Sequence, residues 1–131
     1  MRRFLPSLFV LVAAPAAALA AVAGPTLKSL EPGLWSVSRS ATGERAVSLC
    51  VHDFAALAQW EERGRQCHRT ILSQSGSETV IRYNCPGGDF GEARLTAVTP
   101  RSLKLDIQGI HGGGPFQTAL FARKSDACRI H

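Results

Sequence analysis

From Cys67 onward, short runs of alternating residues are cut at near-regular intervals by glycine, proline and serine turns. A chain divided in this way favours an antiparallel sheet, because each run is long enough for a strand and each break supplies turn geometry. The runs are Arg69 to Ser73, Thr79 to Cys85, Ala93 to Val98, Leu103 to Ile107 and Phe116 to Ala122. They are separated by Ser75-Gly76-Ser77, Pro86-Gly87-Gly88, Thr99-Pro100-Arg101-Ser102 and His111-Gly112-Gly113-Gly114-Pro115. Two further runs come earlier, Leu34 to Ser38 after Pro32-Gly33 and Ala46 to Val51 after Thr42-Gly43. The spacing predicts a mainly β domain, an antiparallel meander curled into a half-barrel or small barrel over Leu103, Leu105, Ile107 and Leu120.

One segment departs from the strand pattern. Asp53 is placed to accept hydrogen bonds from the free amides of a first helical turn, and Gly64 to end the helix, which predicts a short helix from Phe54 to Arg63 after the second strand. Phe54, Leu57 and Ala58 share one face of it, with Trp60 at the border, so this face is expected to cover the sheet.

The N-terminal residues have the character of an export signal. Arg2 and Arg3 precede the apolar stretch from Leu8 to Ala14, and the first acidic residue is Glu31. Ala18-Leu19-Ala20 and Ala21-Val22-Ala23 offer two cleavage sites, which predicts a signal peptide over 1–23 and a single domain over 24–131. Pro6, Ser7 and Pro15 interrupt the apolar run, which argues against a spanning helix and for a mature chain without a transmembrane segment. Removing 23 of the 131 residues leaves 108, enough for one small domain and too few for a large enzyme with its own cofactor fold. The mature part carries 13 Lys and Arg against 10 Asp and Glu, a net charge of +3. Its arginines are spread among alternating segments instead of lining one face, which argues against nucleic acid as a partner.

Cys50, Cys67, Cys85 and Cys128 all lie in the mature part. An even count in a short exported chain reads as two disulfides in an oxidising compartment, the periplasm or the exterior. Four cysteines allow three pairings. Sequence order favours Cys50 with Cys67, around the helix, and Cys85 with Cys128. A metal site built from these cysteines with His52, His68, His111 or His131 is disfavoured, since no C-x(2-4)-C or H-x(3-5)-H pair occurs. Nor is there a C-x-x-C pair for redox chemistry. No cofactor is expected.

Two short motifs resemble catalytic ones. His111-Gly112-Gly113-Gly114 is similar to an esterase oxyanion loop and Asp89-Phe90-Gly91 to the magnesium-binding triplet of kinases, but the G-x-S-x-G nucleophile and the remaining kinase motifs are missing. Both read as turns. The ten acids form no recognisable pair or triad, so no catalytic residue is assigned and a non-enzymatic role is expected. The densest basic cluster is Arg63, Arg65, His68 and Arg69. It has the chemistry to hold a phosphate or carboxylate, against the plainer alternative of a helix C-terminus balanced by Glu61 and Glu62.

Glu31-Pro32-Gly33-Leu34-Trp35, Cys50-Val51-His52-Asp53 opening a helix, Cys67, Asn84-Cys85-Pro86-Gly87-Gly88 and a last cysteine follow one another in an order that resembles the DUF3617 family of exported bacterial proteins. The resemblance covers nearly all of residues 30 to 128. It departs at His52-Asp53, where members often have threonine and proline. The resemblance implies an envelope location and a mostly β domain, and carries over no catalytic residue. The partner expected for such a domain is an anionic envelope component or an envelope protein. A weaker likeness, through Tyr83-Asn84-Cys85, is to periplasmic lysozyme inhibitors, and it gives the alternative of an inhibitor of a cell-wall lytic enzyme. The basic charge opposes that alternative, since a basic lysozyme would be repelled.

Overall fold

The computed structural model describes residues 3–4, 6–7, 9–13 and 24–129. The expected cleavage sites after Ala20 or Ala23 lie outside the described residues. No helix among the described residues is long and apolar enough to cross a membrane.

Seven strands form one antiparallel sheet: β1 (Gly33–Ser38), β2 (Val47–Val51), β3 (His68–Ser75), β4 (Glu78–Asn84), β5 (Phe90–Thr99), β6 (Ser102–His111) and β7 (Gly114–Asp126). Each of the seven expected runs becomes a strand. Several extend further than their apolar alternation indicates, because backbone pairing continues into polar residues such as Gln108 and Lys124. The spatial order is β2-β1-β7-β6-β5-β4-β3. A five-strand meander, β3 to β7, is thus extended by the β1–β2 hairpin, whose first strand pairs with β7.

Register assembles one apolar face. Leu105 lies between Leu95 and Leu120, and Ala93 between Ile81 and Ile107. Leu103, Leu105, Ile107 and Leu120 are all buried, as their alternation predicts, together with Trp35, Val37 and Tyr83. The opposite face is largely polar, with Arg82, Glu92, Gln108 and Gln117 in one cross-strand row.

The sheet does not close into a half-barrel or small barrel. β2 and β3 remain its two edges, so the chain must cross the apolar face to travel from one to the other. Besides a short 3-10 turn before the sheet, η1 (Leu27–Ser29), the described residues form one longer 3-10 helix, the crossing segment η2 (Phe54–Glu62), in which Phe54, Leu57, Ala58 and Trp60 are buried. It supplies the apolar cover that the far wall of a barrel would otherwise provide. Trp35 meets Phe54 edge to face at 5.0 Å between ring centroids and donates its indole N–H to Glu31 O at 2.9 Å. Asp53 caps η2 as expected, accepting from the Ala55 amide at 3.1 Å. The helix stops at Glu62, one residue before the expected end, and is broken at Gln59 (φ −95°, ψ 42°). The buried Gln59 side chain ties down the end of the helix, its amide donating to Glu62 O at 3.0 Å and Arg65 O at 2.9 Å.

Both disulfides form, but not in the expected pairing. Cys50 bonds Cys128 and Cys67 bonds Cys85. Cys67 precedes His68, which pairs with Asn84, and Cys85 follows Asn84, so the two thiols face each other one rung beyond the β3–β4 ladder. Cys50 pairs with Leu34 and Leu34 with Asp126, which brings the chain after β7 within reach of β2 across β1. The expected pairing fails because β2 and β3 lie on opposite edges of the sheet.

Candidate functional site

β2 and η2 leave a groove of about 420 Å³ between them. Leu49, Val51, Ala56, Leu57 and Trp60 supply its apolar lining, and His52, Asp53, Arg63, Arg65 and Arg69 its charged or polar one. The structure therefore brings together three members of the basic cluster. The fourth, His68, lies outside the lining, at the exposed start of β3, with its Nε2 3.4 Å from Thr70 Oγ1.

The three arginines are not equivalent. Arg69 is tied to its surroundings, donating to Gln59 Oε1 at 2.6 Å and lying 3.4 Å from Asp53 Oδ2. Arg65 is bound more heavily: Nη1 reaches Glu62 Oε2 at 2.5 Å and Asp89 Oδ2 at 2.7 Å, while Nη2 donates to Pro86 O. These partners hold the Arg65 guanidinium above its ordinary pKa. Arg63 differs from both. It donates to Trp60 O at 2.9 Å and its guanidinium lies 3.7 Å above the Trp60 ring centroid, with no carboxylate partner among the described residues. Such stacking orients a guanidinium and leaves its N–H edge available to an anion.

Glu62 opens a second set of contacts beneath the groove. Its side chain is only 2% exposed, and Oε1 is hydrogen-bonded to His111 Nδ1, at the end of β6. Asp89 Oδ1 accepts the Gly112 amide at 2.9 Å. The Arg65 hydrogen bond, followed by that of Gly112, holds the Asp89 carboxyl below its ordinary pKa, and the Glu62 hydrogen bond raises that of His111. Burial, reinforced by the charges of Glu62, Glu61 and Asp89, pushes the Tyr83 phenol up to about 12. His111-Gly112-Gly113-Gly114 thus forms a hairpin, with positive φ of 59° and 82° at Gly112 and Gly113. Asp89-Phe90-Gly91 leads into β5, with its acid committed to Arg65 and Gly112.

Glu62, Asp89 and His111 bring potential metal-ligand atoms within 4.8 Å of one another. Arg65 nevertheless bridges the two carboxylates, so its guanidinium already supplies the cation they require. Together with His111, the three side chains form an ion-pair network. One of its members carries a sequence signal: Glu62 lies four residues beyond Ala58 along the buried stripe of the helix, and a buried carboxylate requires a cationic partner. Asp89 and His111 carry no comparable signal, because only the sheet topology brings their turns together.

Fold and site define a small, doubly disulfide-bonded antiparallel β domain with an arginine-rimmed groove beside its crossing helix. Compared with known proteins, the chain matches no family model, no curated protein and no solved structure. Two disulfides are nevertheless characteristic of an oxidising, extracytoplasmic compartment.

Proposed function

We propose that the chain is an exported β domain of the periplasm or cell exterior that binds an anionic envelope component through the groove between β2 and η2, and that it acts by binding and performs no chemistry of its own. The observation that carries this reading is Arg63, stacked on Trp60 at the groove and not neutralised by a carboxylate among the described residues. The lining suits a phosphate group attached to an apolar body: the guanidinium meets the charge, and Leu49, Val51 and Leu57 meet the rest. A role in binding is also supported by the commitment of Glu62 and Asp89 to Arg65, which leaves neither acid poised to attack or to deliver a proton. The motif order that resembles the DUF3617 family agrees with an envelope location.

Vesicle flotation tests the reading. The oxidised protein should bind vesicles of phosphatidylglycerol and phosphatidylcholine, and should bind pure phosphatidylcholine weakly. Binding should weaken as the screening length falls to about 8 Å at physiological salt. Arg63→Gln should reduce it several-fold with the melting temperature little changed, since an exposed cation–π contact contributes about 0.5–1 kcal/mol. Competition by inorganic phosphate would show that the phosphate alone is recognised, and its failure that the lipid body is needed. Equal binding by wild type and Arg63→Gln overturns the proposal. Arg65 is unsuitable for this test, because its removal would leave the buried Glu62 without its cation.

A further inference from the structure

Arg65 belongs to two systems at once. It lines the groove, and the same guanidinium holds the buried Glu62 carboxylate, whose other oxygen holds His111. A carboxylate 2% exposed therefore lies between a permanent cation and a titrating one, and His111 itself is 49% exposed and in exchange with solvent. We infer that the groove binds anions more tightly as pH falls, because protonation of His111 supplies Glu62 with a second cation and leaves the charge of Arg65 less neutralised toward the groove. The inference rests on the groove being the binding site.

The charge balance gives the direction. With His111 neutral, Glu62 and Asp89 set two negative charges against the single positive charge of Arg65, and the network opposes an approaching anion. With His111 protonated the network is neutral, and Arg63 and Arg69, offset by Asp53, determine the field in the groove.

The groups around His111 support this assignment. From η2 it faces Glu62, and more distantly Glu61, which is engaged with Arg39 at 2.7 Å. From the β4–β5 turn it faces Asp89, and from β7 the uncharged ring of Phe116, with ring centroids 6.5 Å apart. These carboxylates favour the charged imidazole, so its transition lies above the ordinary histidine value of 6.5. The Tyr83 phenol, pushed up to about 12, stays neutral throughout. His52, unlike His111, lies in the groove lining itself, and its effect must be separated experimentally. One unit charge acting over roughly 10 Å of partly aqueous medium changes affinity on the order of three-fold.

The test measures dissociation constants between about pH 5.5 and pH 9, using vesicles of equal parts phosphatidylglycerol and phosphatidylcholine, whose phosphodiester stays ionised across that range. Wild-type affinity should fall about three-fold as His111 loses its proton. His111→Gln should abolish this slope, and His52→Gln, whatever its own affinity, should retain it. The His111 ring signals, followed by NMR, should titrate above 6.5. An unchanged slope in His111→Gln, or a ring that titrates at or below the ordinary value, overturns the inference. Binding that depends on Arg63 but is flat with pH removes this inference and leaves the groove reading standing. Absence of Arg63-dependent binding removes both.

Discussion

Tyr83 lies across Gly91, its partner on the neighbouring strand, so closely that a Cβ on Gly91 would fall 2.5 Å from the phenol oxygen. One rung further, a Cβ on Gly109 would fall 2.1 Å from the Phe90 carbonyl oxygen. Neither glycine has a positive φ, so both are needed for close approach and not for backbone conformation. At Gly109 the obstacle is backbone and cannot rotate away. Gly109→Ala should therefore destabilise the domain by about 1–3 kcal/mol, as overpacking in cores typically does, and a lower urea midpoint at unchanged slope would show it. Tyr83 offers the reverse experiment. Its ring is fully buried and its hydroxyl has no hydrogen-bond partner among the described residues. An unmet buried hydroxyl costs about 1–3 kcal/mol, so Tyr83→Phe should leave stability equal or raise it by about 1 kcal/mol. A clear loss in thermal melts would show instead that the hydroxyl is engaged.

Among the elements, legibility follows locality. The strands were legible because a period of two and a turn sequence are both written in consecutive residues, and Asp53 announces η2 for the same reason. Closure of the sheet was not, since it depends on which strand β1 joins, and nothing local to Leu34-Trp35-Ser36 indicates β7. Disulfide pairing was hidden by the same topology: Cys50 and Cys67 are near in sequence but belong to opposite edges. In the groove, the cluster Arg63, Arg65 and Arg69 was visible as charge, whereas the neutralisation of Arg65 by Asp89 required the fold. The pairing has consequences for stability that differ between the two bridges. Cys50–Cys128 spans 78 residues and Cys67–Cys85 spans 18. The chain-entropy model then assigns them about 4.5 and about 3 kcal/mol. Replacing both Cys50 and Cys128 by Ala should lower the melting temperature more than replacing Cys67 and Cys85, at about 4 °C or more per kcal/mol. Peptide mapping of the unreduced protein should recover only the 50–128 and 67–85 linkages, and a 50–67 link would refute this topology.

On the scale of the whole molecule, the Glu62–Arg65–Asp89–His111 network joins η2, the β4–β5 turn and the β6–β7 turn, three segments distant in sequence. It should make global stability depend on pH from both sides. The folded pKa of His111 is raised from 6.5, so its contribution is complete below that value and is lost as pH rises through the higher folded value. The folded pKa of Asp89 is lowered from 3.8, so its contribution is complete above that value and is lost as pH falls through the lower folded one. Between these windows both contributions are present. Melting temperature plotted against pH should therefore form a plateau in the mildly acidic range, with an alkaline limb due to His111 and an acidic limb to which Asp89 contributes. His111→Gln removes the group that titrates on the alkaline side, and should flatten that limb while leaving the acidic one. Asp89→Asn should do the opposite, making the acidic limb shallower. Thermal melts at constant ionic strength across both limbs read these differences directly. If His111→Gln declines above neutral pH as steeply as wild type, the alkaline limb belongs to another group, and the network does not tie η2 to the β6–β7 turn in the way its contacts imply.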